Sequence, residues 1–111
     1  MNISHDSIQL DTILDALANQ KRRGIVHELS LYPATVSHLA RNEDLSLPAI
    51  HKHIRRLEAA GLILKKKSGR TNFVVLNPET LRIAQDWIMQ YDTYRANPSA
   101  TLENYISRMK E

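Results

Sequence analysis

The side chains best suited to chemistry in this 111-residue chain are cationic, and they gather in one stretch. Between His51 and Arg70 there are seven Lys or Arg residues and a single acid, Glu58. The first fifteen residues hold three Asp and no Lys or Arg. The formal charge is only +3, so the placement of charge matters more than its amount. A basic block beside a neutral or acidic remainder suits a polyanion at one surface.

The first half of the block reads as a helix. Ser46 is a good N-cap, Pro48 fits the first turn, and Gly61 supplies a left-handed stop. On a wheel of about 100° per residue, Ile54 and Leu57 fall within roughly 40° of Ile50. Pro48, His51, Lys52, Arg55 and Arg56 fall on the opposite half. The helix therefore has an apolar face for the domain and a basic face for solvent or phosphate. A major groove admits such a helix, and the N-terminal residues of a reading helix make the base contacts. Here those are Ser46, Leu47, Ala49 and His51. Leu47 suits a thymine methyl and His51 a purine edge. Lys52, Arg55 and Arg56 read as phosphate clamps, with Arg55 also in reach of a base. A merely solvated face would explain the charge alone. The cap, the stop and the basic segment that follows argue for more.

That segment is Lys65-Lys66-Lys67-Ser68-Gly69-Arg70. It reads as a hairpin, with strands near 62–67 and 71–76 flanking Ser68-Gly69-Arg70. Side chains alternate along a strand, so either Lys66 or the Lys65/Lys67 pair faces a duplex, with Arg70 at the tip. Edge-strand lysines that block aggregation are the competing explanation.

The elements that must position these groups are helical. Leu10, Ile13, Leu14 and Leu17 have i, i+3, i+4, i+7 spacing, with Asp6 or Ser7 as the cap. A second helix is expected over about residues 21–30, with Ile25, Val26 and Leu29 inward and Tyr32-Pro33 ending it. Val36, Leu39 and Ala40 mark a short third helix that starts near Ala34 or Thr35. Asn77-Pro78-Glu79 opens a helix after the hairpin, with Leu81, Ala84, Ile88 and Tyr91 inward. Asn97-Pro98 interrupts it, and Leu102, Tyr105, Ile106 and Met109 suggest a last helix. The fold class is mainly α with a two-stranded β-hairpin wing. Its order is α-α-α-α-β-β-α plus a C-terminal helix, a winged helix-turn-helix.

Composition narrows the alternatives. Hydrophobic residues make up 42% and charged residues 24%, ordinary for one globular domain. There is no cysteine, which removes disulfides, thiolate metal sites and thiol chemistry. No secretory signal is visible, and no apolar run approaches the roughly 20 residues of a membrane helix. A cytoplasmic, nucleoid-associated protein is expected, with no membrane partner. Only Gly24, Gly61 and Gly69 are present, too few for a glycine-rich phosphate loop. No His, Ser and acid grouping has a catalytic context, so no enzyme, catalytic residue or cofactor is expected.

Three runs together resemble the ArsR-type repressors. Leu17-Ala18-Asn19-Gln20-Lys21-Arg22-Arg23-Gly24-Ile25 is similar to their opening helix junction. The run from Leu45-Ser46-Leu47-Pro48 through Gly61-Leu62-Ile63 is similar to their recognition helix and first wing strand. Gly69-Arg70 through Leu76-Asn77-Pro78 is similar to the wing return. The resemblance covers about residues 8–92, and the length fits a single domain over 1–111. Its DNA-binding core spans about 20–77, its dimerisation helices about 7–18 and 78–94, and its C-terminal helix about 99–109. The resemblance implies a homodimeric repressor on a two-fold symmetric double-stranded DNA operator. The chain departs from the family at Leu47, where a polar residue is common, and at His51, where serine is common.

The expected dimer surface is Leu10, Ile13, Leu14 and Leu17 with Ile83, Trp87 and Tyr94, a second apolar stripe on the helix after the wing. The last stripe could pack across it or line a ligand pocket. The resemblance places the family's thiolate pair on Thr35 and Ser37, neither a thiolate, and no histidine follows His53. Asp86 and Asp92 lack imidazole partners. The chain thus resembles the metal-independent branch, with no metal site, and its signal is expected from a small-molecule or protein effector. His51 and His53 diverge on their helix, and His53 is expected to be structural. Two other readings compete: a winged-helix protein-interaction module without DNA binding, and a metal-responsive repressor. The basic face opposes the first. The missing thiolates and late histidines oppose the second.

Overall fold

A computed structural model describes residues 3–91 and 98–110, with the side chains of 8–91 and 102–110. The elements run α1 (Ile3–Leu17), α2 (Gln20–Leu31), α3 (Val36–Asn42), α4 (Leu47–Ala59), β1 (Ile63–Ser68), β2 (Thr71–Leu76), α5 (Pro78–Met89) and α6 (Pro98–Lys110). The order matches the sequence expectation. Tyr94 and Asp92 lie outside the described residues.

Local chemistry starts and stops these helices. The Asn19 side chain caps α2 by accepting from the Arg22 N–H at 3.1 Å. Thr35 does the same for α3, accepting from His38 N–H, and Ser46 for α4, accepting from Ala49 N–H. Both helices of the helix-turn-helix end in paired 6→1 and 5→2 bonds. After α4, Leu62 N–H donates to Leu57 O and Gly61 N–H to Glu58 O, with Gly61 at φ 78°. After α3, Leu45 N–H donates to Ala40 O and Asp44 N–H to Arg41 O. Here Asp44, not glycine, holds the left-handed position, at φ 55°.

The core lies where α1 to α4 meet the hairpin root. Ile13, Ile25, Leu39, Ile50, Ile54, Leu57, Leu62 and Ile63 are completely buried. The hairpin is antiparallel, with Ile63 opposite Leu76 and Ser68 opposite Thr71. Its tip is thus only Gly69-Arg70, one residue shorter than expected. Gly69, at φ 61°, takes the first central position, where a two-residue loop of this kind favours glycine. Ala34 adds a second, isolated pairing that the sequence did not suggest. Its N–H donates to Val74 O at 3.1 Å and its carbonyl accepts from Val74 N–H at 2.7 Å. The Thr80 hydroxyl donates to Gly61 O at 2.7 Å, locking the start of α5 to the end of α4.

Four expectations need correction. Helix α1 already begins at Ile3, so Asp6 and Ser7 sit inside it, not at a cap. Nothing between Ile3 and Ile8 is a helix breaker. Ile13, expected at the dimer surface, is fully buried within the protomer and has no area left for a partner. Asn77 occupies the N-cap position of α5 without a side-chain bond; its backbone N–H donates instead to Leu62 O. Ile88 and Tyr91, expected inward, are 57% and 67% exposed. Only the first part of α5 meets the body, through Thr80, Leu81, Ile83 and Ala84.

Asp44 yields a stability prediction. A non-glycine residue in the left-handed region costs about 1–2 kcal/mol, partly offset by the greater chain entropy of glycine. Asp44→Gly should stabilise the fold by about 0.5–1 kcal/mol, a rise of about 2–8 °C in thermal midpoint. Calorimetry or a CD melt reads it; an unchanged or lower midpoint contradicts this account of the turn.

Candidate nucleic-acid interface

The outward face of α4 follows from its inward one. Ile50, Ile54 and Leu57 are fully buried. Pro48, His51, Lys52, Arg55 and Arg56 are exposed on the other side, and Leu47 stands 52% exposed at the N-terminal end. Ala49 is half-buried at the edge of this face. Ser46 is exposed, but its hydroxyl accepts from the Ala49 N–H, so it holds the helix start in shape.

The hairpin stands beside the last turn of α4. Lys65 Nζ lies 3.8 Å from Glu58 Oε1. Lys65, Lys67 and buried Val74 share one face, because paired residues and alternate positions point the same way. Lys66 belongs to the other face with Leu64 and Phe73. The Lys65/Lys67 pair is therefore on the hairpin face that borders α4, and Lys66 is on the opposite face. All three lysines and Arg70 are exposed, as is every residue of β1 after Ile63. Among the described residues, Lys52, Arg55, Lys66, Lys67 and Arg70 make no ion pair.

Three features of this surface were not anticipated. The first is Arg22, 8% exposed. Its Nε donates to Ala16 O at 2.6 Å and Nη2 to Asp15 O at 3.3 Å, while Nη1 lies 3.4 Å from His53 Nδ1. One guanidinium thus joins the end of α1, the start of α2 and the middle of α4. The second is the ion pair of Arg56 with Asp15, again between α4 and α1. The third is a polar cluster under the helix-turn-helix. Buried Glu28 accepts from Tyr32 Oη at 3.1 Å and from Asn42 Nδ2, and lies 3.2 Å from His38 Nε2. Glu28/Tyr32 and His38/Asn42 are both i, i+4 polar pairs, which was the only signal available. Packing of α2 on α3 is what brings them together.

His53 is half-buried and lines, with Arg22, Lys52, Arg55, Arg56 and Ala59, an open depression of about 500 Å³. Burial, then the charges of Arg22, Arg56 and Lys21, pull its pKa below the ordinary 6.5. No group of three or more His, Cys, Asp or Glu that could hold a metal occurs among the described residues.

On the other side of the molecule, Leu10, Leu14, Leu17 and Ile83 are half-buried against the core. Trp87 is 39% exposed, and Ile88, Met89 and Tyr91 more so. Trp87 and Tyr91 meet edge to face, with ring centroids 5.3 Å apart. Met89 was missed because it lies on neither predicted stripe. The α6 stripe of Leu102, Tyr105, Ile106 and Met109 is also exposed. No helix among the described residues is long and apolar enough to cross a membrane.

A capped two-helix unit followed by a basic antiparallel hairpin defines a winged helix-turn-helix protein. A Helix-turn-helix domain model matches residues 17–65. The HTH-type transcriptional regulator YuzN of Bacillus subtilis (strain 168) is 38% identical over 87 residues, covering 70% of this chain and 94% of that protein. A crystal structure of an ArsR family transcriptional regulator, also 38% identical, aligns with a TM-score of 0.68 over 76% of this chain and 87% of its own. A homodimeric winged helix-turn-helix DNA-binding domain from Mycobacterium bovis shares the fold at 17% identity, with a TM-score of 0.68 over 86% of this chain and 94% of its own. The chain belongs to the ArsR family of winged helix-turn-helix transcriptional regulators. Its members are DNA-binding regulators and not enzymes.

The environment of His53 sets a pH dependence. A folded-state pKa below 6.5 means that the unfolded chain binds the proton more readily. The stabilisation is complete above about pH 6.5 and is lost as pH falls through the lowered folded-state value. Wild type should therefore lose more unfolding free energy than His53→Gln between about pH 7.5 and 5. Urea titrations at the two pH values measure this; equal losses would contradict it.

Proposed function

We propose that the protein is a homodimeric repressor that docks α4 into successive major grooves of a two-fold symmetric operator. The observation that carries this reading is the exposed outward face of α4, where Lys52 and Arg55 make no ion pair among the described residues, beside the basic hairpin. In this reading Leu47, Ala49, His51 and Arg55 meet base edges, with Ser46 holding the helix start against the duplex. Lys52 and Arg56 take phosphates, with Lys65 and Lys67 on the hairpin face that borders α4. Lys66 and Arg70 engage the backbone or minor groove from the outer edge of the wing.

The dimer would use Leu10, Leu14 and Leu17 of α1 with Ile83 and Trp87 of α5, and the sequence adds Tyr94. Exposed Trp87, Ile88, Met89 and Tyr91 support it, because contiguous apolar surface marks association. So does the homodimeric state of the Mycobacterium bovis domain. The two α4 helices would then sit about 34 Å apart, one turn of the duplex. An effector that is a small molecule or a protein, not a metal, would release the operator. Thr35, one of the two positions where thiolates would be required, is already engaged in capping α3. Such a protein works in the cytoplasm at the nucleoid.

Selection of bound fragments from a random duplex library should return a two-fold consensus; recovery of no enriched sequence would overturn the reading. Against that consensus, Arg55→Ala and His51→Ala should each cost about 1–3 kcal/mol and relax one position. Arg70→Ala should weaken all sequences alike. Trp87→Ala should shift sedimentation toward the monomer, and an unaltered dimer would remove Trp87 from the interface.

A further inference from the structure

The depression beside α4 gathers more positive charge than the base-reading face needs. Lys52, Arg55 and Arg56 wall it, His53 and Ala59 line it, and buried Arg22 adds its charge from beneath. Like charges this close repel, and one carboxylate offsets them. Asp15, on the last turn of α1, accepts a hydrogen bond from Arg56 Nη2. The two side chains are 66% and 56% exposed, so the pair forms in water. Exposed pairs contribute only about 0–1 kcal/mol. An oxyanion presented by a docked duplex makes a charge-assisted, bidentate contact with a guanidinium and is held by several cations at once.

We propose that this depression is the seat of one backbone phosphate of the duplex, and that Asp15 is its resident competitor. On docking, the phosphate displaces the Asp15 carboxylate from Arg56. Arg22 is a positioning residue: it grips the Asp15 and Ala16 carbonyls and keeps the end of α1 at the rim of the seat. Asp15 is thereby a determinant of affinity that touches no DNA. The inference rests on the DNA-binding reading and adds a specific occupant and a specific internal rival for it.

The test is duplex binding by the full chain over a range of salt, for wild type, Asp15→Asn, Arg56→Gln and the double variant. Asp15→Ser serves as a second removal of the carboxylate. The Arg22 bond uses the Asp15 backbone, so both replacements leave it in place. Asp15→Asn and Asp15→Ser should bind about two- to fivefold tighter, the worth of an exposed pair. Arg56→Gln should bind more weakly, with a log–log salt slope shallower by about 0.9, one phosphate. In the Arg56→Gln background, Asp15→Asn should gain little. An equal gain in both backgrounds would mean a general charge effect and overturns the competition. An unchanged slope in Arg56→Gln overturns the seat while leaving the wider DNA-binding reading intact. A wild type that binds no duplex overturns both.

Discussion

The rotation of α4 about its own axis governs what this protein can present. Ile50, Ile54 and Leu57 are all completely buried on one stripe. Burying three such side chains is worth roughly 5–9 kcal/mol, comparable with the whole stability of a small domain. Turning the helix by one residue, about 100°, would lift that stripe toward water and drive Arg55 or Arg56, depending on direction, into the core. The charges therefore face outward because the aliphatic side chains cannot. The Ser46 cap and the Gly61 stop set the length of the exposed face in the same way, at its two ends.

Around that fixed helix, polar contacts decide angles where apolar packing alone would allow several. Arg22 ties α1, α2 and α4 through two carbonyls and His53. Glu28, with Tyr32, His38 and Asn42, ties α2 to α3. A buried carboxylate with its hydrogen bonds satisfied rigidifies a junction, while the loss of one partner is costly. These two junctions hold α3 against α2 and α4 against α1. They are what turns four helices into a platform of one shape.

Electrostatics on the outside is less committed. Arg56 spends its charge on Asp15, and Lys65 lies near Glu58. Both pairs are exposed and weak, so they yield readily to a polyanion with a denser charge. His53 on this flank is held below its ordinary pKa first by burial and then by the charges of Arg22, Arg56 and Lys21. The exposed aromatic and aliphatic groups of α5 and α6 face water in the single protomer. The molecule thus presents a cationic surface on α4 and the hairpin and an apolar surface on α5 and α6. That division suits a DNA-binding regulator assembled from identical chains.

Residue order was enough to read the helices, the hairpin and the outward basic face of α4. Each depends on contacts within a few residues: a cap with its third N–H, a glycine at a stop, and a repeat of 3.6 or 2. The strand alternation also limited the wing to two sets of lysines. Which set borders α4 depended on Lys65 lying near Glu58, a contact between elements. Tertiary structure likewise decided that Ile13 is core while Ile88 and Tyr91 are not, because burial depends on where α1 and α5 end relative to the body. The Ala34–Val74 pairing, the Arg22 junction, the Glu28 cluster and the Asp15–Arg56 pair were invisible for the same reason. Their partners are brought together by packing between segments, and no local periodicity encodes a meeting of side chains on different helices.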